Sequence, residues 1–454
     1  MRRFALVLIL INLALGRTVR KRGADLTREH RISVWTLLPV VMAACVEPGE
    51  SGASGGEVTV TDSGHIQIVE VGGALLSNLP EWSLDQRPLL EIGERIGGDP
   101  YMFGRIDAAA RLPSGEVVVV DGLTFEFRVF GPDGLFRRQF GRDGEGPGEF
   151  KAVSLRRLVN GGFAVADARL DRLTLFDSMG TLTESRGSIC RSNGAGVYHE
   201  SPSYVGRCAF AGLTGDGMVF WSETVGSEQP ALRLDVAHHY VGGTRFLFRP
   251  AGDARLVVDS IPVANQVAIL TTRFGPRYLW VISELFEASG NWAFGPRTVA
   301  VAEAERFEVR FRDSAGTLQR VLRVGVVPER VTTGHIDAIK QLMGTSASLS
   351  PKELALEYLD DVPVDGPIPL IGKMRFDESG RLWIGDYVPD PVLVIPQEWR
   401  WTIFDENGLP LARMTTGASD DILEIGGDYM LVRERDDMDV ESVGMYRIER
   451  EPVN

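Results

Sequence analysis

An all-β propeller, six small sheets set radially around an axis, is predicted by three observations. The first is a repeat. Leu112-Pro-Ser-Gly-Glu-Val-Val-Val-Val-Asp121 with Val129-Phe-Gly-Pro-Asp-Gly-Leu135 returns without gaps 46 residues on (112 to 158), as Leu158-Val-Asn-Gly-Gly-Phe-Ala-Val-Ala-Asp167 with Leu175-Phe-Asp-Ser-Met-Gly-Thr181. A fixed period of this size marks an array of units, none of which buries its faces alone. The second is the order within each copy: turn, apolar run, polar gap, alternating strand, turn, strand. The third is 51 glycines in 454 residues, which suits many tight turns.

The elements follow from residue chemistry. Pro113-Ser-Gly115 and Asn160-Gly-Gly162 are turns, because Gly reaches positive φ without a Cβ clash. Val117 to Val120 is a β-branched run, expected of a strand buried on both faces. Phe125-Glu-Phe-Arg-Val-Phe130 alternates, and Pro132-Asp-Gly134 closes a hairpin. Weaker copies start at Leu213, Thr298, Phe376 and Ile425. The last is short of strands. Glu57-Val-Thr-Val-Thr61, Ile66-Gln-Ile-Val-Glu-Val71 and Leu89-Leu-Glu-Ile92 are expected to complete it, which closes the ring and removes free sheet edges. The β pattern breaks near 333–360. Ile336, Ile339 and Leu342 have helical spacing, and Ser350-Pro-Lys-Glu353 is a capping box. Two short helices are predicted there, inserted between the fourth and fifth blades and packed on one face of the disc.

Residues 1–45 read as an export signal and not as fold. Two apolar runs, 4–15 and 32–45, are both short for a bilayer span. The second ends in Met42-Ala-Ala-Cys45, which resembles a bacterial lipobox and implies lipidation of Cys45. Residues 46–56, rich in Gly and Ser, would be a flexible tether, leaving 57–450 as the propeller. Val46, where an Asp would signal retention, favours the outer membrane, facing the periplasm or the surface. An exported chain sees an oxidising compartment, so Cys190 and Cys208 are expected to form a disulfide, on the order of 3 kcal/mol by loop entropy. A net charge of −14 argues against nucleic acid.

Gly141-Arg-Asp-Gly-Glu-Gly-Pro-Gly-Glu-Phe150, with Trp82-Ser-Leu84, Leu90-Glu-Ile-Gly93 and Gly380-Arg-Leu-Trp-Ile384, resembles six-bladed β-propeller lipoproteins of environmental bacteria, relatives of NHL-repeat propellers. The resemblance spans roughly residues 80–410 and implies six blades, with no particular activity. The loop's glycines lack the Lys-Ser/Thr of a phosphate cradle, so they are read as turn residues, with Phe150 filling a gap between sheets and Arg142 or Glu149 bonding the turn.

No HExxH, CxxC or Gly-x-Ser-x-Gly motif occurs, and no catalytic residue or metal ligand is assigned. His238-His239 would point to opposite faces of a strand. Asp121, Asp167, Glu303 and Asp386 each end an apolar strand, and their repetition points to turn-bonding rather than an axial metal ring. Trp383 and Tyr387, beside Val388-Pro-Asp-Pro391, are candidates for an aromatic platform for a sugar or peptide. The leading expectation is therefore a lipid-anchored extracytoplasmic propeller that binds a protein, carbohydrate or peptide on one disc face, without a cofactor. The alternative is a lactonase-like hydrolase or lyase with a divalent cation, calcium foremost, in the central channel.

Overall fold

The computed structural model describes residues 57–94, 99–187, 208–226, 237–240, 242–251, 254–271, 278–345, 356, 358–389, 398–417 and 421–450. Among them, six antiparallel units follow one another along the chain. Blade one is Ile106–Arg111, Val117–Asp121, Glu126–Phe130 and Phe136–Phe140, and blade two is Ser154–Arg157, Phe163–Asp167, Arg172–Phe176 and Leu182–Gly187. Blade three is Cys208–Leu213, Val219–Gly226, Gly243–Ala251 and Ala254–Pro262, and blade four is Gly290–Phe294, Thr298–Glu303, Glu308–Asp313 and Leu318–Gly325. Blade five is Met374–Phe376, Leu382–Gly385, Trp399–Phe404 and Pro410–Thr416. Blade six joins Ile422–Ile425, Tyr429–Arg435 and Glu441–Arg450 to an N-terminal strand, Leu90–Ile92.

Side-chain parity turns these sheets into a ring. Successive residues of a strand point to opposite faces. Val118 and Val120 pack with Phe163 and Val165 of blade two, whereas Val117 and Val119 pack with Leu431 and Val443 of blade six. The same division recurs in blade four, where Val299 and Val301 meet blade three and Ala300 and Ala302 meet blade five. Six apolar clusters result, one in each seam between neighbouring blades. This explains why the second strands are continuous apolar runs. Each is covered on both faces, and Val117 to Val120 are all 0% exposed. The chain is a closed all-β propeller.

The N-terminal strands depart from expectation. Leu90–Ile92 does complete the last blade. Val58–Ser63 and Ile66–Gly72 instead form a hairpin on the rim of blade four, with Ile66–Gly72 parallel to Leu318–Gly325. Val69 and Val71 bury against Leu322 and Val324 there, so the apolar face of the hairpin selects blade four. Glu81–Leu84 lies between blades five and six, pairing with Pro410–Thr416 on one side and Glu441–Arg450 on the other.

A second surprise is a three-stranded sheet, Ala237–Tyr240, Gln266–Thr271 and Tyr278–Ser283, outside the blade pattern. The predicted helical insertion supplies a helix, Thr333–Thr345, whose Ile336 and Ile339 bury against Val267 of that sheet and against Leu285. Leu342, expected on the same face, is exposed. Of the second predicted helix, 356 and 358–360 are described, and its capping box at 350–353 lies outside the described residues. Tyr358 ties the insertion down by accepting the Leu285 N–H at 2.8 Å, and burial pushes its hydroxyl up to about 12.

Candidate functional site

The first strand of every blade lines the axis. Together these strands enclose a cavity of about 650 Å³, to which Ala109, Arg156, Phe210, Ala293, Arg375 and Glu424 contribute, one from each blade. Most of these strands end on a buried apolar anchor, such as Leu112, Leu158 or Leu213, before a turn. Gly115, Gly161, Gly217 and Gly380 hold φ between +83° and +89° in those turns, a region that a side chain would strain. The turns are stitched across blades. Arg157 Nη1 donates to the Arg111 carbonyl at 2.7 Å, the Val159 N–H to Gly215 at 2.8 Å, the Gly215 N–H to Gly295 at 2.9 Å and the Glu378 N–H to Ile425 at 3.1 Å.

Charge collects at this end of the channel. Arg157 pairs with Glu378 and lies 3.8 Å from Glu424. Tyr429 donates to Glu424, and its hydroxyl is 3.2 Å from Glu378. Glu424 also accepts the Arg111 N–H at 2.9 Å, from blade one. Burial pushes the Glu424 carboxyl up to about 8, and its hydrogen bond and like charge with Glu378 act in the same direction. Glu424 therefore holds a proton at neutral pH. Burial pushes the Tyr429 hydroxyl up as well, reinforced by both carboxylates, so it stays a donor. Arg156 donates to the Phe294 carbonyl, and burial pulls its guanidinium below the ordinary value. Phe210, Trp292 and Phe294 supply an aromatic wall.

The residues singled out from sequence lie elsewhere. Trp383 is 0% exposed, edge-on to Trp82 and Trp401 at 6.2 and 6.4 Å, with its Nε1 donating to Asp377 at 3.1 Å. It is core of the seam between blades five and six and offers no surface for a platform, because its place in a second strand faces it toward blade six. Tyr387 is half-buried and accepts the Phe286 N–H at 3.0 Å. Cys45 and Cys190 lie outside the described residues. Cys208 opens blade three, and its expected pairing with Cys190 also lies outside them.

Two of the four recurrent carboxylates bond turns. Asp121 accepts the N–H groups of Gly104 and Leu123, and Asp167 those of Lys151, Arg169 and Leu170. Glu303 instead accepts Arg310 Nη1, from the neighbouring strand, at 2.9 Å. In the glycine-rich loop, Glu149 accepts the Gly146 N–H and Arg142, while Phe150 is fully buried between Phe127 and Phe176. Among the described residues, no three His, Cys, Asp or Glu side chains are grouped to hold a metal ion. The axial carboxylates, Glu378 and Glu424, are already engaged by Arg157 and Tyr429, so this donor set does not fit a calcium ion without rearrangement.

Sequence reasoning missed the axial charges because they come from four separate blades. One signal was present. Arg111 and Arg157 occupy equivalent places in the 46-residue repeat (111 to 157), each as the last residue of a first strand.

No family model and no curated protein matches the chain. Solved structures do resemble it. A Bacteroides fragilis protein described as exported is 13% identical with a TM-score of 0.38, covering 82% of this chain and 96% of that one. A DUF4221 family member from Bacteroides vulgatus is 9% identical with a TM-score of 0.36, covering 87% and 100%. Virginiamycin B lyase from Staphylococcus aureus is 8% identical with a TM-score of 0.31, covering 76% and 97%. At these values the likeness concerns architecture and carries no argument about activity.

Proposed function

We propose that this chain is a lipid-anchored, extracytoplasmic six-bladed propeller that binds a small ligand in its axial channel. One observation carries the ligand site: six first strands, one per blade, converge on a cavity of about 650 Å³ with polar groups at one end and aromatic groups on its wall. This is the size and make-up of ligand sites in general. Anchoring and export rest on Met42-Ala-Ala-Cys45 and the tether that follows. Placement at the outer membrane rests on Val46. The channel replaces the disc-face platform as the binding site, since Trp383 is interior.

The test is occlusion. Ser154 is exposed and lines the channel, so Ser154→Trp should fill it without entering a seam. Loss of ligand uptake with an unchanged melting temperature supports the channel. Undiminished uptake overturns it. Mass spectrometry of the mature N-terminus tests acylation of Cys45.

A catalytic reading has one observation in its favour, the Glu378–Glu424 pair, with Glu424 held protonated, beside Arg157 and Tyr429. Such a pair can donate and accept protons. Elemental analysis of purified protein tests the metal-dependent version, in which stoichiometric calcium or zinc would be found.

A further inference from the structure

We infer that the ligand of the axial channel carries a carboxylate on an apolar body, and that Arg156 is the residue that pairs with it. The inference rests on the channel being the binding site and goes on to name what the channel accepts.

The argument is a charge balance over the side chains that face one another at the channel end. Arg157, from blade two, is matched by Glu378, from blade five. Glu424, from blade six, holds a proton and is bonded by Tyr429. Arg375, from blade five, donates to the Ile422 carbonyl at 2.8 Å. Arg156 stands apart. Its guanidinium reaches the Phe294 carbonyl, and among the described residues no carboxylate contacts it, although Glu424 and Glu378 attract it from farther off. A guanidinium has five N–H donors, and one carbonyl satisfies few of them. A desolvated charge that no counter-charge contacts is costly, and an incoming oxyanion would offset that cost with charge-assisted bonds. The chain as a whole is at −14, so a net positive spot on its axis runs against the general field.

The walls define the rest of the ligand. Phe210, Trp292 and Phe294 surround the same cavity and suit an aromatic or short aliphatic body. Glu424 adds a pH dependence. As it ionises above about 8, the channel end becomes more negative and an anion binds less well. Glu378, Arg157, Tyr429, Arg156, Arg375 and Arg111 are the charged and titratable neighbours that set this response.

Calorimetric titration of the full chain with three isosteric probes tests the idea: benzoate, the neutral benzamide and the cationic benzamidine. Benzoate should bind at least about tenfold more tightly than benzamide, and benzamidine should bind least. Arg156→Gln should bring benzoate and benzamide to within about twofold, and Arg156→Lys should keep the preference. Benzoate affinity of the native chain should fall as pH rises through about 8. Ser154→Trp should abolish binding of every probe. Benzamide binding as tightly as benzoate, a preference that survives Arg156→Gln, or no saturable benzoate binding would each overturn the inference. If Arg156→Gln does not fold, the ratio of the probes on the native chain and on Arg156→Lys still decides. Probe binding that Ser154→Trp leaves intact would instead overturn the channel as the site.

Discussion

Two seams of the ring are built differently. Between blades one and two, Phe127, Phe140, Phe150, Phe163 and Phe176 stack and tilt with ring centroids 4.9 to 6.4 Å apart. Between blades six and one, side chains bond directly to the first strand of blade one. Glu441 accepts the Ile106 N–H, Arg433 donates to the Ile106 carbonyl at 3.0 Å, and Glu424 accepts the Arg111 N–H. Arg111 also lies over the Tyr429 ring at 4.9 Å. Blades one and two are neighbours in sequence, and non-directional apolar burial supplies most of their seam, with Arg157 bonding the Arg111 carbonyl. The closing seam links residues more than 300 positions apart, 335 for Ile106 and Glu441. Many edges compete for that place, and bonds with defined geometry specify which one docks.

The sharpest way to break the closing seam is to remove its N-terminal strands. Deleting residues 81–92 takes Leu90–Ile92 from blade six and Glu81–Leu84 from between blades five and six, which leaves two strand edges open. Light scattering should find soluble aggregates, because unpaired edges recruit other strands. Deleting 57–72 strips only the rim hairpin of blade four and should leave a folded monomer of lower stability. Equal aggregation of both would show that closure is not special.

The aromatic seam is tested next. Phe150→Ala should cost about 3–5 kcal/mol in chemical denaturation, the range for a fully buried aromatic residue. Trp383→Ala should cost a similar amount, whereas a surface platform residue would cost little.

A pH series separates the two seams. The Glu424 carboxyl is raised from 4.5 to about 8 in the folded chain, so the native state holds a proton that the unfolded state releases. The resulting stabilisation is complete below about 4.5 and is lost as pH rises to about 8. Glu424→Gln should flatten this slope in melts taken across that range, while Phe150→Ala should keep it. The smallest effect belongs to Arg142→Ala. Its ion pair with Glu149 has a 76% exposed guanidinium, and removal should cost under about 1 kcal/mol.

Much of the fold was legible before any coordinates. Repeat, turn glycines and apolar second strands depend on local chemistry, and the chain writes them in consecutive letters. Trp383 could have been placed by the same means, since Gly380-Arg-Leu-Trp aligns with Gly115-Glu-Val-Val and Val118 is core. The reading of Trp383 as a platform residue weighed aromatic chemistry over strand parity. The axial residues were legible only in part. Arg111 and Arg157 recur, but Glu378 follows a strand in one blade while Glu424 sits within a strand in another.

By itself the sequence determined a closed β ring, because period-2 burial on both faces of the second strands permits few other arrangements. It also determined that the glycine-rich loop would be structural. Only the tertiary structure decided where the N-terminal strands dock, since Val69 and Leu90 are equally apolar in the sequence and their partners lie hundreds of residues away. It likewise decided that Arg156, Glu378, Glu424 and Tyr429 share one axis. The physical reason is common to both: contacts made across the ring depend on how six sheets close, and no local pattern in the chain encodes which distant residues that closure brings together.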